Sequence, residues 1–453
     1  MPIKETFTHI LEHSLTVRDM KQNIPFTFQV PANTTQLSLH FTYAPIKVSG
    51  ILNLLTLTLF DPSGWRGEGH RHNAPYEIAI GADISSPGFL PGPIQAGQWT
   101  VVVNTHMIMP DEPLNFQISI RGTHLPDSSI ATTRSARQAA PRGPGWYRGD
   151  LHTHTLHSDG HWDVPDLIAD ACQRNLDFVT LSDHNTISGL SEMLSTDTGD
   201  LLTMGGMELT TFWGHALALG WHDWVDWRVK SGVREMNQIY DEVTRHDGLF
   251  IIAHPMAQGD PYCTGCDWHY ADVLPGPART IEIWNDDWRS ESNNEDGLKQ
   301  AYEWLNKGYR LALTAGTDNH GHPGNHCYGY NVVYADELSE HEILKAVRAG
   351  HLYLSAGPGL ELNAGTGDQQ AMMGDILKST DNSSIQLAVG WKECPPGAQL
   401  DLIVDGKIQE RVNIGAEGSK TWILPGETVH WSLITVRDST GSILALTNPI
   451  FFG

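Results

Sequence analysis

This 453-residue chain is short of cysteine and of positive charge. Five cysteines, an odd number without framework spacing, exclude a disulfide-stapled secreted scaffold and fit a reducing compartment. Lysine and arginine number 29 against 53 aspartates and glutamates, a formal charge of −24. A surface acidic on average disfavours long nucleic acids, which bind through basic faces and counterion release. No run reaches the ~18 consecutive apolar residues of a membrane span. The opening Met1-Pro-Ile-Lys lacks the apolar core of a secretory signal, so the expectation is a cytoplasmic protein that does not engage a membrane. Also missing are a GxSxG nucleophile elbow, a GxxxxGK[ST] phosphate loop and any internal repeat, which argues against serine-nucleophile and P-loop chemistry and against a solenoid.

Histidine, by contrast, is plentiful, with 23 copies. The stretch Asp150-Leu-His-Thr-His154-Thr-Leu-His157-Ser-Asp159-Gly160 carries two histidines one residue apart. At the end of a strand such a pair points to one side and can share a metal ion. Comparable motifs recur where later apolar runs stop. They are Phe178 to Asp183-His184-Asn185, Leu202 to Glu208 with Gly214-His215, Gly248 to His254-Pro255, and Leu311 to Asp318-Asn-His320. A weaker one is Thr280-Ile-Glu282-Ile-Trp284-Asn285. Helical patterns fall between them at Val164–Arg174, Val233–His246, Leu298–Lys307 and Glu340–Ala349, the last with Ser339 at its N-cap position. Strands alternating with helices imply βα units, whose chemistry sits in loops at the C-terminal strand ends.

The ordered set DxHxHxxxSDG, SDHN, GxE with a nearby His, AHP and DxH resembles the PHP (polymerase and histidinol phosphatase) superfamily of metallohydrolases, and within it the CehA/McbA-like branch. The resemblance implies an α/β fold, a distorted (β/α)7 barrel with two or three divalent metal ions (Zn, Mn or Fe) at its C-terminal mouth. It assigns His152, His154, Glu208 and Asp318 to a first ion. Glu208, His215 and His254 hold a second, and Asp159, His184 and His320 a third. His152, His154, Asp159, Glu208, Asp318 and His320 are the catalytic group this implies. Asp159 stands where histidinol-phosphatase-like members have a further His, which implies a weaker or exchangeable third ion. His215 lies at a different spacing from the glutamate than its counterpart elsewhere.

Around this core the residues leave several roles open. Asp150 either orients a ligating imidazole or acts as a turn carboxylate. His157 is either a proton donor to the leaving group or a solvated loop histidine. Cys266, in Cys263-Thr-Gly-Cys266, either shapes the pocket or belongs to a surface loop with incidental thiols. Trp284 and Asn285 either line the mouth or pack. Glu282 is read as buried polarity rather than a ligand, and His70, His72 and His106 as solvated.

Alternating patterns such as Gln36-Leu-Ser-Leu-His-Phe and Leu55-Thr-Leu-Thr-Leu-Phe predict a β-sandwich or jelly-roll-like domain over 1–127. Residues 128–145 form a linker, 146–356 the barrel, and 357–453 a C-terminal β-sandwich-like domain. The β-domains cap the barrel, complete the pocket rim or mediate homo-oligomerisation. The expected function is hydrolysis of a small-molecule ester. A metal-bridging hydroxide would cleave a phosphomonoester or phosphodiester, with an aryl carbamate or carboxylic ester as the alternative and a non-catalytic PHP module as the second alternative.

Overall fold

A computed structural model describes residues 4–72, 74–124, 139–274, 276–321, 328–378, 384–426 and 428–453. Most of the expected linker at 128–145 lies outside the described residues.

The N-terminal segment forms two four-stranded antiparallel sheets. One orders Lys4–Leu15, Leu114–His124, Gln36–Ala44 and Tyr76–Gly81, and the other Asn23–Val30, Gly97–Met107, Leu54–Asp61 and Gly64–Gly69. Period-two alternation places Leu37, Leu39 and Phe41 of the first sheet and Leu55, Leu57 and Leu59 of the second in one shared apolar core. The polar alternates of the second sheet do not all reach water. Thr56, Thr58 and Asn104 close around the buried carboxylate of Glu68, and Thr56 Oγ1 is 3.1 Å from His106 Nε2.

The central segment is mixed α/β. Strands Gly145–Asp150, Phe178–Leu181 and Leu202–Thr211 run parallel, Gly214–Leu219 runs antiparallel to both of its neighbours, and Leu249–Ile252, Thr280–Asn285 and Ala312–Gly316 resume the parallel order. Most of these strands are buried on both faces, as in a sheet covered on each side. The last strand returns to the first, because Asp318 N donates to His152 O at 2.9 Å and His154 N to Asn319 O at 3.0 Å. Helices Val164–Gln173, Met236–Arg245, Asn294–Asn306 and Glu340–Ala349 fall within the helical patterns or extend them slightly, and Ser339 accepts from Glu342 N as the N-cap. The strict βα alternation expected from the sequence gives way at Thr211–Gly214, a tight antiparallel hairpin with no helix between its strands.

The expected boundary at 356 is bridged by hydrogen bonding. Strand Leu352–Ser355 pairs with Ile443–Thr447, so one fifteen-stranded sheet runs from the central segment into the C-terminal strands. Its far half shares a core with the sheet built on Gly359–Thr366 and Ser384–Lys392. No helix among the described residues is long and apolar enough to cross a membrane.

Two carboxamides stand in for ladder partners along the final central strand. Asn331 Nδ2 donates to Ala315 O and its Oδ1 accepts from Ala315 N, while Asn448 does the same for Leu313. Asn331 is fully buried, so Asn331→Ala orphans both backbone groups of Ala315. We expect a loss of about 2–4 kcal/mol in the unfolding transition of the central segment under urea. A midpoint unchanged from wild type would show that the carboxamide is not what holds this strand.

Candidate metal centre

Most donor side chains of the site sit at or near the ends of central strands. His152 and His154 follow Asp150, His184 follows Leu181, and Glu208 and His215 flank the hairpin turn on adjacent strands. His254 follows Ile252, and Asp318 follows Gly316. Three of the turns use left-handed backbone at non-glycine residues, with φ of 57° at Asn185, 27° at His254 and 52° at Asp318. Such conformations cost free energy and persist where the surroundings fix them. Gly316 meets a steric demand, because a Cβ there would lie 2.0 Å from Glu282 Oε1 and 2.4 Å from His152 Cβ.

Glu208 is the hub. Its Oε2 lies 3.3 Å from His152 Nε2, 3.4 Å from His154 Nε2 and 2.8 Å from His184 Nδ1. Its Oε1 lies 3.0 Å from His215 Nδ1 and 3.3 Å from His254 Nε2. Asp318 Oδ1 is 2.9 Å from His154 Nε2 and 3.4 Å from His152 Nε2. Asp159 Oδ1 is 3.4 Å from His184 Nε2 and 3.2 Å from His320 Nε2. The expected ligands therefore converge in one place. Donor atoms of His152, His154, Glu208 and Asp318 lie within 4.8 Å of one another, as do those of His154, Asp159, His184 and His320. A third set within the same limit is His215, His254 and Cys266.

Several of these atoms are buried and make no hydrogen bond among the described residues. They are His152 Nε2, both ring nitrogens of His154, Asp159 Oδ1, Glu208 Oε2, His215 Nδ1 and Asp318 Oδ1. Buried polar atoms without partners are costly, and so many on neighbouring side chains call for partners of another kind. The spacing fits a cation. Tetrahedral legs of about 2.0–2.1 Å set neighbouring donors roughly 3.3 Å apart, close to the separations here. A nitrogen–oxygen set without thiolate suits Zn, Mn or Fe.

The other ring nitrogen of several imidazoles is tied outward, which fixes the face turned inward. His152 Nδ1 is 3.1 Å from Glu282 Oε1, His215 Nε2 is 3.2 Å from Thr264 O, His254 Nδ1 is 3.3 Å from Cys266 O, and His320 Nδ1 is 2.7 Å from Asp318 O. Glu282 also accepts from His254 N at 3.1 Å and from Asn285 Nδ2 at 3.0 Å.

Charge is coupled throughout the cavity. Burial favours the neutral acid for Glu208, but His184, His152 and His215 outweigh it and hold the carboxyl well below its usual range. For Asp159 burial is outweighed by His184 and His320, and for Asp318 by His152 and His154. Burial, reinforced by His184 and His320, lowers His154 to about 4. Burial is overcome at His320, which Asp159 and Asp318 raise to about 10.

Several assignments change places. Among the described residues, Asp150 makes no hydrogen bond to an imidazole ring. It accepts from His152 N at 3.2 Å and from Thr317 N and Oγ1 at 3.1 and 2.6 Å, as a turn carboxylate. Glu282 takes the orienting role, and its signal was a carboxylate in an otherwise apolar strand. His157 faces away from the cavity, with Nδ1 2.7 Å from Ser188 Oγ and Nε2 3.0 Å from Glu192 Oε2. Trp284 is fully buried, packed edge-on to Trp288. Asn285 is buried beside the centre, donating to Glu282 and, at 3.3 Å, to Asp318 Oδ2. Cys266 does line the cavity, joined to Cys263 as a disulfide where thiols were expected.

The solvated reading of His70 and His106 also fails, since they are 3% and 0% exposed. His70 and His72 line the same cavity as Asp159, His184, His215, His254, Asp318 and His320. They repeat the HxH spacing of 152 and 154, and this was the signal available in the sequence.

No protein-family model matches the chain, and no curated protein matches it. Partial likenesses to solved structures exist. A two-domain protein containing a predicted PHP-like metal-dependent phosphoesterase from Bacteroides vulgatus aligns at 14% identity over 71% of this chain and 100% of its own, with a TM-score of 0.38. A putative metal-dependent phosphoesterase from Bifidobacterium adolescentis aligns at 15% identity over 39% of this chain and 90% of its own, with a TM-score of 0.28. An amidohydrolase from Chromobacterium violaceum aligns at 16% identity over 39% and 88%, with a TM-score of 0.28.

Proposed function

We propose that this protein is a metal-dependent hydrolase of the PHP type, with a distorted seven-stranded barrel, that cleaves small phosphoesters, mono- or diesters. The observation that carries this reading is the set of unpartnered buried donors around Glu208. His152, His154 and Asp318 gather on one side of that carboxylate and His215 and His254 on the other, with Asp159, His184 and His320 as a third set. Divalent ions held there would supply Lewis acidity, bringing the pKa of water towards neutrality and offsetting charge on phosphoryl oxygens. Asp159, Glu208 and Asp318 contribute three carboxylates, with Glu282 beside His152 as a fourth, so two divalent ions would balance the acids and a third would leave the cavity positive enough to attract an anion. Glu282 keeps His152 Nε2 turned inward, and the Thr264 and Cys266 carbonyls do the same for the inward nitrogens of His215 and His254. Leu52, Leu54, Pro261 and Tyr262 give the cavity an apolar wall that fits an organic leaving group.

One feature of the cavity favours a second reading, hydrolysis of a carbamate or carboxylic ester. Among the described residues, no lysine or arginine lines it to grip a phosphate.

Stripping metal with a chelator should abolish turnover of nitrophenyl phosphoesters, and adding back Zn, Mn or Fe should restore it. Full activity in a metal-free preparation would refute the assignment, and turnover of naphthyl carbamates alone would move it to the second reading. His152→Ala and Asp318→Asn should each cut kcat/KM by more than about a hundredfold with the circular dichroism spectrum intact. Glu282→Gln should fall in the roughly ten- to hundredfold range of a lost outer partner and should weaken metal retention. Near-normal rates in both ligand variants would mean the centre lies elsewhere.

A further inference from the structure

The N-terminal sheets bring a second His-x-His pair to the mouth of the cavity. His70 and His72 follow the strand Gly64–Gly69, and contacts to the central segment fix the loop that carries them. Arg71 Nη2 donates to Leu156 O at 2.6 Å, Gly88 N donates to Ser188 Oγ at 2.9 Å, and Trp65 stacks on Trp224 with centroids 5.1 Å apart. Asp159 stands between two sets of imidazoles and offers each a different oxygen. Its Oδ1 faces His184 and His320, while its Oδ2 lies 3.3 Å from His72 Nε2. Donor atoms of His70, His72 and Asp159 all lie within 4.8 Å of one another. His70 is buried, its Nδ1 makes no hydrogen bond, and its ring lies 4.7 Å from that of His184. The His72 side chain is 57% exposed.

We propose that His70 and His72, with Asp159 as a bridging carboxylate, form a further cation site at the cavity mouth, built jointly by the N-terminal and central segments. Two imidazoles and a carboxylate suit a borderline divalent transition metal such as Zn, Mn or Fe. Three protein donors leave at least one coordination position free, and the exposure of His72 turns that side to solvent, where a substrate oxygen can enter. A simple ion pair between His72 and Asp159 would leave His70, buried and without a hydrogen bond at Nδ1, unexplained. Without the N-terminal sheets this ion would keep only Asp159.

The inference rests on the adjacent cluster being a metal centre, and ion counting separates the two claims. The full-length chain, loaded with Zn2+ or Co2+ and gel-filtered, is measured by elemental mass spectrometry beside His72→Ala and His70→Gln. We expect about one ion fewer per chain in each variant, the remaining ions retained, and a change in the visible spectrum of the Co2+ form. His72→Ala decides the matter if His70→Gln fails to fold, since His72 is exposed and its removal leaves the core packing alone. Variants that keep the wild-type ion count and Co2+ spectrum overturn this site only. A wild-type chain that takes up no ion overturns it together with the proposed function.

Discussion

Five imidazole nitrogens lie within 3.4 Å of the carboxylate of Glu208, a side chain with no exposure to solvent. Removing a carboxylate from water costs several kcal/mol unless strong partners replace the water. Here Oε2 has imidazoles around it yet accepts no hydrogen bond. Oxygen and nitrogen atoms at that spacing repel unless positive charge, a metal ion or imidazolium protons, lies between them, and the surrounding loops supply the donors that meet this demand.

The fold meets the demand by spreading the donors over strands that end together. The hairpin around Thr211–Gly214 breaks the parallel order, and that break sets His215 beside Glu208 on neighbouring strands instead of a helix away. Gly316 lets Glu282 and His152 approach from the two sides of the final strand. Carbonyls of the 264–266 loop turn His215 and His254 inward, so the loop that walls the cavity also orients its donors. Lys21 pins the same region from the N-terminal segment, donating to Phe212 O and pairing with Asp260 at 2.6 Å. Binding wall and donor geometry are thus set by overlapping contacts.

Much of this was legible in the sequence where the signal is local. Apolar runs ending in His, Asp or Glu marked the strand ends, and Ser339 marked a helix start. The residues left open or misread are those whose role depends on distant partners. Asp150 and Glu282 are both acids next to strand ends, and only the pairing of strands Thr280–Asn285 and Ala312–Gly316 decides which reaches the His152 ring. His70 and His72 carried the right spacing, but their strand belongs to a sheet whose position over the centre no periodicity encodes. The sequence leaves Trp284 open between lining the mouth and packing, and an irregularity of the strand between Glu282 and Trp284 leaves it on the packed side, edge-on to Trp288. The sheet running past residue 356 was likewise invisible, since edge pairing between Leu352–Ser355 and Ile443–Thr447 leaves no mark on either strand alone.

The central claim is that cations satisfy the buried donors around Glu208. Anomalous diffraction from crystals of the metal-loaded protein, collected on both sides of the metal absorption edge, tests it most directly. The account predicts peaks on either side of the Glu208 carboxylate, one contacted by His152, His154 and Asp318 and the other by His215 and His254. Crystals grown with metal that show no peak there, with the imidazoles instead hydrogen-bonded to the carboxylates, would contradict it.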